Sequence, residues 1–540
     1  MAQFTAFDWV VVLLYFVAVG AIAAWTMRSK KKTASDYFLA SRHVGWYIIG
    51  ASILASNIGS EHIVGCASTG FKTGVAFGQY ELHSWICLLL GWVFVPFYLR
   101  SKVFTMPEFL ELRFNSQSRW FLSVMSLIAY VLTKVSVTVF AGAVVFETLM
   151  GIDFWVGALI IVVLTGIYTV LGGLKAVVYT DALHTAVLII GSLIVCIISL
   201  LKVGGWASVV STVGPQYFNM FPPLDSNAPW LGLVLTSPIV GVWYWCTDQC
   251  IVQRTLTAKD EKNARRGTIF AAYLKLFPFF LFLIPGIVAV ALKAQGKLAF
   301  DDPNKVFPTM VATFLPVGIR GIVAGGLLAA LMSSLAAVFN GCSTLFTMDI
   351  YKKLKPKAED KELIFTGRVA TAIVVILGII WIPILKSMSG SLYEYLQNVQ
   401  SFIAPPITAT FLLGIFWKRI NGKGAISALV CGFLLGMTKL TFETLFKDAS
   451  GAIGAIANFN FLFFAPLLFA FCVVLLVVIS LLTEVPSDEK IKGLCFSSLT
   501  DEDRKASRAS WNHWDVIHTC IIVAFIIGVM IYFSPLGVAK

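Results

Sequence analysis

Long apolar runs alternate with short polar segments along almost the whole chain. A helix needs about 20 apolar residues to cross about 30 Å of hydrocarbon. The pattern predicts about fourteen such helices, at approximately 8–27, 44–71, 76–99, 117–147, 151–173, 179–201, 230–253, 266–292, 316–351, 363–385, 392–417, 424–446, 459–483 and 514–534. The sequence therefore predicts an all-α protein that crosses the membrane many times.

Composition agrees with this pattern, because apolar residues make up 58% of the 540 residues and charged residues only 13%. Soluble domains need roughly a quarter charged residues to cover their surface. The longest polar segment, about 484–513, is expected to be a charged cytoplasmic linker rather than a separate domain. We therefore predict a single transmembrane domain over 1–540.

Basic residues are distributed unevenly between the polar segments. Membrane insertion keeps basic clusters in the cytoplasm, and such a cluster follows the first span at Arg28, Lys30, Lys31, Lys32 and Arg42. The predicted spans put roughly three times as many basic residues inside as outside, with both termini outside. The net charge of +12 is explained by these loops rather than by nucleic-acid binding. The chain has no Asn-x-Ser/Thr sequence, which favours a bacterial inner membrane.

Two of the predicted spans interrupt their own apolar pattern. One contains the polar stretch 55–62, and the other contains Thr236-Ser-Pro238 followed by Gly241. They begin two successive sets of five spans, about 44–201 and about 230–417. Paired interrupted helices at matching positions are typical of inverted-repeat transporters, although ordinary kinks in a structural bundle would look similar. We predict a five-plus-five core, with peripheral helices at about 8–27, 424–446, 459–483 and 514–534.

Ionisable residues lie within or at the edges of the predicted spans. A charge facing lipid costs at least a few kcal/mol, so such residues face the interior of a bundle. A single one would be equally well explained by a structural ion pair. Six together predict a polar cavity; they are Glu61, His62, Glu81, Asp181, Asp248 and Lys275.

Several long motifs follow one another along the chain. They are Ala51-Ser-Ile-Leu-Ala-Ser-Asn-Ile-Gly-Ser-Glu-His62, Thr105-Met-Pro-Glu-Phe109, Trp243-Tyr-Trp-Cys-Thr-Asp-Gln249, Gln253-Arg-Thr-Leu256, Met332-Ser-Ser-Leu335, Leu345-Phe-Thr-Met-Asp-Ile-Tyr351 and Phe416-Trp-Lys-Arg419. From about residue 35 to about 440 the chain resembles the sodium/glucose cotransporters of the sodium:solute symporter family. The resemblance implies fourteen helices with a ten-helix inverted-repeat core of the amino-acid-transporter (LeuT-like) type.

The resemblance also implies a sodium site between the first interrupted helix and a later helix. Its ligands would be the carbonyl oxygens of Ala55, Ile58 and Ala330 and the hydroxyls of Ser333 and Ser334. Positions 330, 333 and 334 share one helical face, and unwinding near Asn57–Gly59 would free backbone carbonyls. A Ser-Ser pair can instead serve only helix packing. Asp181 is expected to lie on the exit path of sodium.

A sugar site follows from the resemblance in the same way. Sugars need many hydrogen-bonding groups together with aromatic faces. The implied sugar contacts are Asn57, His62, Glu81, Lys275 and Gln397, with Tyr244 as an inner gate beside Trp245 and Ser84 as a weaker candidate. Gly241 departs from the family, because glucose-transporting relatives carry a polar residue there. This departure leaves the preferred hexose open.

The expected function is sodium-coupled symport of a hexose-like sugar by alternating access. Open alternatives are a transporter of myo-inositol, another polyol or an acidic sugar, and a sugar-gated sensor or channel. Gln397 favours transport over sensing. Ala336 and Ala337 lack the hydroxyls that a second sodium site of the family would use, which predicts one sodium per sugar. No catalytic activity is expected, since Glu61 and His62 have no evident nucleophile or metal cluster beside them.

Overall fold

A computed structural model describes residues 4–27, 38–59, 61–387 and 392–540. This part of the chain is helical between its loops, apart from one isolated parallel bridge of Val44 with Ala258. Among these residues eleven helices are long and apolar enough to cross a membrane. The predicted all-α class is therefore confirmed. The number fourteen stays a prediction, because the halves of the first interrupted helix and the stretches Ala6–Ile22 and Phe154–Ile167 are shorter.

The helix bounds follow the predicted spans in most places. The α-helices include Ala6–Met27, Trp46–Asn57, Ala67–Thr73, Gly78–Glu81, Ser84–Leu89, Val95–Ser101, Met106–Arg113, Ser116–Tyr130, Ser136–Val145, Phe154–Val203, Trp206–Thr212, Trp230–Val242, Gln249–Leu256, Glu261–Leu274, Ile284–Ala294, Val306–Phe314, Ile319–Thr344, Lys352–Leu354, Asp360–Ser387, Leu392–Phe416, Gly422–Leu445, Gly451–Ala457, Phe461–Leu482, Asp501–Ala509 and His513–Tyr532. Tighter 3₁₀ turns occur at Ala40–Arg42, Pro215–Phe218, Pro303–Lys305, Asp488–Lys490 and Phe496–Ser498. Wider π-helical segments occur at Glu61–Cys66, Leu90–Phe94, Val131–Val135, Phe146–Met150, Trp243–Thr247, Phe279–Leu283 and Leu345–Tyr351.

The first interrupted helix breaks where the sequence predicts. Trp46–Asn57 ends at Ile58, whose backbone is extended at φ −72° and ψ 104°. The chain resumes as Glu61–Cys66 and Ala67–Thr73. The last carbonyls of a helix have no partner within it, so this break leaves oxygen atoms for other ligands. Most of the basic cluster lies outside the described residues, because it falls in 28–37. The side chain of Glu61 also lies outside them.

The second interrupted helix breaks later than the sequence predicts. Trp230–Val242 passes Pro238 and Gly241 without a break and continues as Trp243–Thr247. The break lies at Asp248, whose backbone is extended and whose side chain accepts a hydrogen bond from the Cys250 amide. The expectation of a break at 236–241 is therefore wrong by about two turns. A proline inside a membrane helix is tolerated, whereas an aspartate cap starts a new helix.

The prediction of a loop between the spans 151–173 and 179–201 is also wrong, because the structure has helix there. Residues 174–178 belong to the continuous helix Phe154–Val203. Leu174, Val177 and Val178 are fully buried. Their apolar packing keeps the segment helical, although Lys175 made it look like a polar connection.

The core of the bundle is formed by helices with small residues at their contacts. Ile319–Thr344 is buried along almost its whole length and packs against Phe154–Val203. A Cβ atom at Gly326 would lie only 2.8 Å from Val187 Cγ1, so the two backbones approach closely. Peripheral helices instead expose apolar side chains, such as Leu467 and Val474 of Phe461–Leu482. This contrast is expected for a bundle whose outer face meets lipid, and the chain is an integral membrane protein.

Charged residues join several segments at one end of the bundle. Arg119 donates hydrogen bonds to Asp349 at 2.8 Å and to Glu111 at 2.6 Å. Lys353 also contacts Glu111 at 2.7 Å, and Lys490 of the polar segment 484–513 donates to the Glu111 carbonyl. Burial alone would raise the pKa of Glu111, but the hydrogen bonds from Lys353 and Arg119 lower it to about 2. We call these five residues the Arg119 network.

Candidate functional site

The seven side chains predicted for the sugar site line one central cavity. Each is less than a tenth exposed, although they lie far apart in the sequence. The structure thus brings together Asn57, His62, Glu81, Tyr244, Trp245, Lys275 and Gln397.

A cluster of charged groups forms one wall of this cavity. Lys275 Nζ lies 2.7 Å from Glu81 Oε2. His62 Nε2 lies 3.1 Å from the same carboxylate oxygen and 3.1 Å from Lys275 Nζ. The hydroxyl of Tyr393 donates to Glu81 Oε1 at 2.7 Å. Buried charges persist only when they are paired and hydrogen-bonded, and this cluster meets that requirement.

Two side-chain amides add unused hydrogen-bonding capacity. Asn57 donates from Nδ2 to the Tyr244 hydroxyl at 3.2 Å. Asn57 Oδ1 and Gln397 Oε1 are buried and have no hydrogen-bond partner among the described residues. Leaving such an atom unpaired costs about 1–3 kcal/mol. A ligand that carries hydroxyl donors would remove this cost.

Two aromatic rings line the cavity, and a second ion pair lies against one of them. The rings of Tyr244 and Trp245 are 5.2 Å apart and nearly perpendicular. Lys134 Nζ lies 4.4 Å from the centre of the Tyr244 ring and 3.1 Å from Asp248 Oδ1. Since Asp248 begins the second half of its interrupted helix, Lys134 links the break of that helix to the predicted gate.

Some lining residues were not predicted from the sequence. Tyr80 and His83 flank Glu81, while Tyr393 and Gln400 lie at helical spacings from Gln397. Periodicity could have identified them once the first site residues were chosen. The unpredicted lining residues are Tyr80, His83, Val240, Tyr393, Leu396 and Gln400. Ser84, the weaker candidate, is buried but does not line this cavity.

Two of the residues predicted for sodium contact each other beside the first break, and the other three lie near one or the other in the sequence. Ser333 Oγ lies 3.4 Å from the carbonyl oxygen of Ala55. Ile58 follows Ala55 by three residues, and Ala330 and Ser334 lie within one turn of Ser333. All five are buried. Their oxygen atoms are the hard ligands that a small cation prefers.

Asp181, predicted for the exit path, adjoins this group of oxygens. Its carboxylate accepts hydrogen bonds from the Ser333 hydroxyl and, at 2.5 Å, from the Ser52 hydroxyl. Asp181 is fully buried in the helix Phe154–Val203. A carboxylate is therefore in direct contact with Ser333, one of the predicted ion ligands.

Comparison with known proteins gives a family and close relatives. The model of the sodium:solute symporter family matches residues 37–432. Sodium/glucose cotransporter 1 of Ovis aries is 38% identical, over 93% of this chain and 82% of that protein. Sodium/glucose cotransporter 1 of Oryctolagus cuniculus is 39% identical over the same shares. Sodium/myo-inositol cotransporter 2 of Oryctolagus cuniculus is 37% identical, over 92% of this chain and 79% of that protein.

Solved structures with the same architecture are more distant in sequence. A substrate-bound, outward-open Na⁺-coupled sialic acid symporter superimposes with a TM-score of 0.77 at 22% identity, over 90% of this chain and 99% of that chain. MHP1, a nucleobase-cation-symport-1 family transporter, gives a TM-score of 0.51 at 12% identity, over 86% and 99%. These likenesses confirm the predicted inverted-repeat transporter fold.

Proposed function

The chain belongs to the sodium:solute symporter family, and we propose that it couples sodium to a hexose-like sugar and carries both across the membrane by alternating access. One observation carries this proposal: a buried cavity holds paired charges, unpartnered amide oxygens and aromatic rings. A small, polar and uncharged ligand would satisfy these groups together.

The chemistry of the cavity matches a sugar. A hydroxyl group both donates and accepts hydrogen bonds. The carboxylate of Glu81 and the free oxygens of Asn57 and Gln397 accept them, and Lys275 donates. The ring of Trp245 can pack against the apolar C–H face of a sugar. The site thus offers a partner for both kinds of surface that a pyranose presents, its hydroxyl groups and its C–H face.

The ion site explains how sodium would be coupled to the sugar. Ala55, a predicted ion ligand, precedes the sugar-site residue Asn57 by only two positions in the first interrupted helix. An ion that binds Ala55 and Ser333 would hold the end of this helix against Ile319–Thr344. The sugar would then meet Asn57 already in place, and each ligand would favour the conformation that binds the other.

A neutral hexose is favoured over an acidic sugar. The ammonium of Lys275 is already paired with Glu81, so the described cavity has little cationic charge left for a ligand carboxylate. Myo-inositol remains the second candidate, because it is also neutral and rich in hydroxyls. A similar relative is named as a myo-inositol cotransporter at nearly the same identity as the glucose cotransporters.

We also propose a placement in the cell membrane of a bacterium, with the Arg119 network on the cytoplasmic side. The basic residues Lys353 and Lys490 of the Arg119 network would then lie in the cytoplasm, as membrane insertion prefers.

Binding measurements on the purified protein test the substrate class. Tryptophan fluorescence should change on titration with glucose or galactose, because Trp245 lines the cavity. The change should require less sugar in sodium chloride than in choline chloride. Lys275→Gln should abolish it, whereas Lys297→Gln, on an exposed loop, should not. Myo-inositol binding without hexose binding would favour the second candidate, and binding of neither would refute the proposal.

A further inference from the structure

His83 forms a part of the cavity wall that the sequence did not assign to the sugar. It lines the cavity two residues after Glu81 and is 5% exposed. Its Nε2 atom lies 2.7 Å from the hydroxyl of Ser237 on the second interrupted helix. The ring also packs edge-on against Tyr80, with the two ring centres 5.6 Å apart. These contacts fix the position of the imidazole.

Gly241 provides the space that this imidazole occupies. It lies one turn after Ser237 on the same helix. A Cβ atom at Gly241 would lie 3.0 Å from His83 Cε1, 3.2 Å from His83 Nδ1 and 2.2 Å from Ile86 Cδ1. Any side chain at this position would therefore move the ring or Ile86. The glycine and the histidine form a matched pair.

The hydrogen bond to Ser237 leaves the second ring nitrogen for another partner. Nδ1 lies on the ring edge beside Gly241, and Val240 and Tyr244, which line the cavity, are near Gly241 in the sequence. In a neutral imidazole one nitrogen donates and the other accepts. Because a hydroxyl can do either, Nδ1 suits one hydroxyl of a sugar in both tautomers.

We propose that His83 is a specificity-determining residue that binds one hydroxyl of the substrate, with Ser237 as its positioning residue and Gly241 as the space for its ring. This inference rests on the proposed function and deepens it. It assigns part of the sugar selectivity to the cavity wall formed by Gly78–Glu81, the turn that follows it and Trp230–Val242.

A set of singly deoxygenated hexoses tests the assignment. Wild-type protein should bind one of the 2-, 3-, 4- and 6-deoxy sugars about three- to tenfold more weakly than the parent hexose. His83→Ala should weaken the parent by a similar factor but leave that one deoxy sugar unaffected. The two losses would then not be additive, as expected for groups in direct contact. His518→Ala, a histidine on the outer helix His513–Tyr532, is the matched control and should change neither.

A second variant keeps the test decisive if His83→Ala folds poorly. Gly241→Ala should change the affinity for the parent hexose more than for the same deoxy sugar, because its Cβ displaces the ring. Equal weakening of all sugars by both variants, or no weakening, would overturn the role of His83 alone. Absence of hexose binding by the wild-type protein would instead refute the proposed function and this inference together.

Discussion

The hydroxyl oxygen of Ser333 lies 3.4 Å from the carbonyl oxygen of Ala55. This contact joins the middle of Ile319–Thr344 to the last turn of Trp46–Asn57. The same hydroxyl is hydrogen-bonded to Asp181 on a third helix. Oxygen atoms from three helices thus meet beside the first break, and a sodium ion there would set the positions of all three.

Removal of one hydroxyl tests this ion site. Ser334→Ala should raise the sodium concentration for half-maximal sugar uptake about tenfold or more, because a hydrogen-bonding group to a charge contributes about 1.5–3 kcal/mol. Ser343→Ala is a matched control, since it is buried in the same helix about 13.5 Å further along. If Ser334→Ala needs the same sodium concentration for half-maximal uptake as the wild type, the ion binds elsewhere.

Neighbouring residues on one helix test the sugar site. Gln397→Ala removes an amide that lines the cavity. We expect the sugar concentration for half-maximal uptake to rise about two- to tenfold. Asn398→Ala is the control, because Asn398 is hydrogen-bonded to Glu443 of the peripheral helix Gly422–Leu445. Uptake measured over a range of sugar concentrations should separate the two variants. A larger effect in the Asn398 variant would contradict the assigned orientation of the helix.

The stoichiometry should be one sodium per sugar. Ala336 and Ala337 follow the Ser-Ser pair, are fully buried and have no side-chain oxygen for a second ion. One ion crossing 100 mV releases about 2.3 kcal/mol, and a tenfold gradient adds about 1.4 kcal/mol. Together these support about 500-fold sugar accumulation. Reversal potentials in proteoliposomes measure the ratio, and a value of two sodium ions per sugar would refute this interpretation of Ala336 and Ala337.

The Arg119 network should stabilise the protein with a defined pH dependence. The pKa of Glu111 is about 2 in the folded protein against 4.5 for an ordinary glutamate. A lowered pKa means that the stabilisation is complete above the ordinary value and is lost as the pH falls toward 2. Thermal unfolding of Glu111→Gln should occur at a lower temperature than wild type, with a constant difference above about pH 5 and a shrinking one below pH 4.

Glu502→Gln is the control for this prediction. Glu502 is exposed on the short helix Asp501–Ala509, so its replacement should leave the unfolding temperature unchanged across the same pH range. A difference between wild type and Glu111→Gln that grew toward low pH would contradict the assigned ion pairs.

Site residues could be predicted from the sequence where a charged residue stands in an apolar span. Glu81 and Lys275 were identifiable because an unpaired charge is costly in a membrane. Their partner Tyr393 was not identified, since a tyrosine in an apolar helix has no such cost. His83 was missed because its role depends on Gly241 and Ser237, which are distant in sequence.

Helix breaks show the same limit. The first break was predicted because polar and flexible residues cluster at 55–62. The second was placed at Pro238 and Gly241, which the packed bundle tolerates within a continuous helix. Its true position at Asp248 depends on a cap and on the ion pair with Lys134, and that pair exists only after the helices pack.

Sugar accumulation driven by a sodium gradient tests the central claim most directly. Purified protein in proteoliposomes would be given radiolabelled hexose with an inward sodium gradient, with equal sodium on both sides, and with a potassium gradient instead. We predict that internal sugar transiently exceeds the external concentration only with the sodium gradient. Hexose that merely equilibrates to the same level under all three conditions would contradict symport and would favour a channel or sensor.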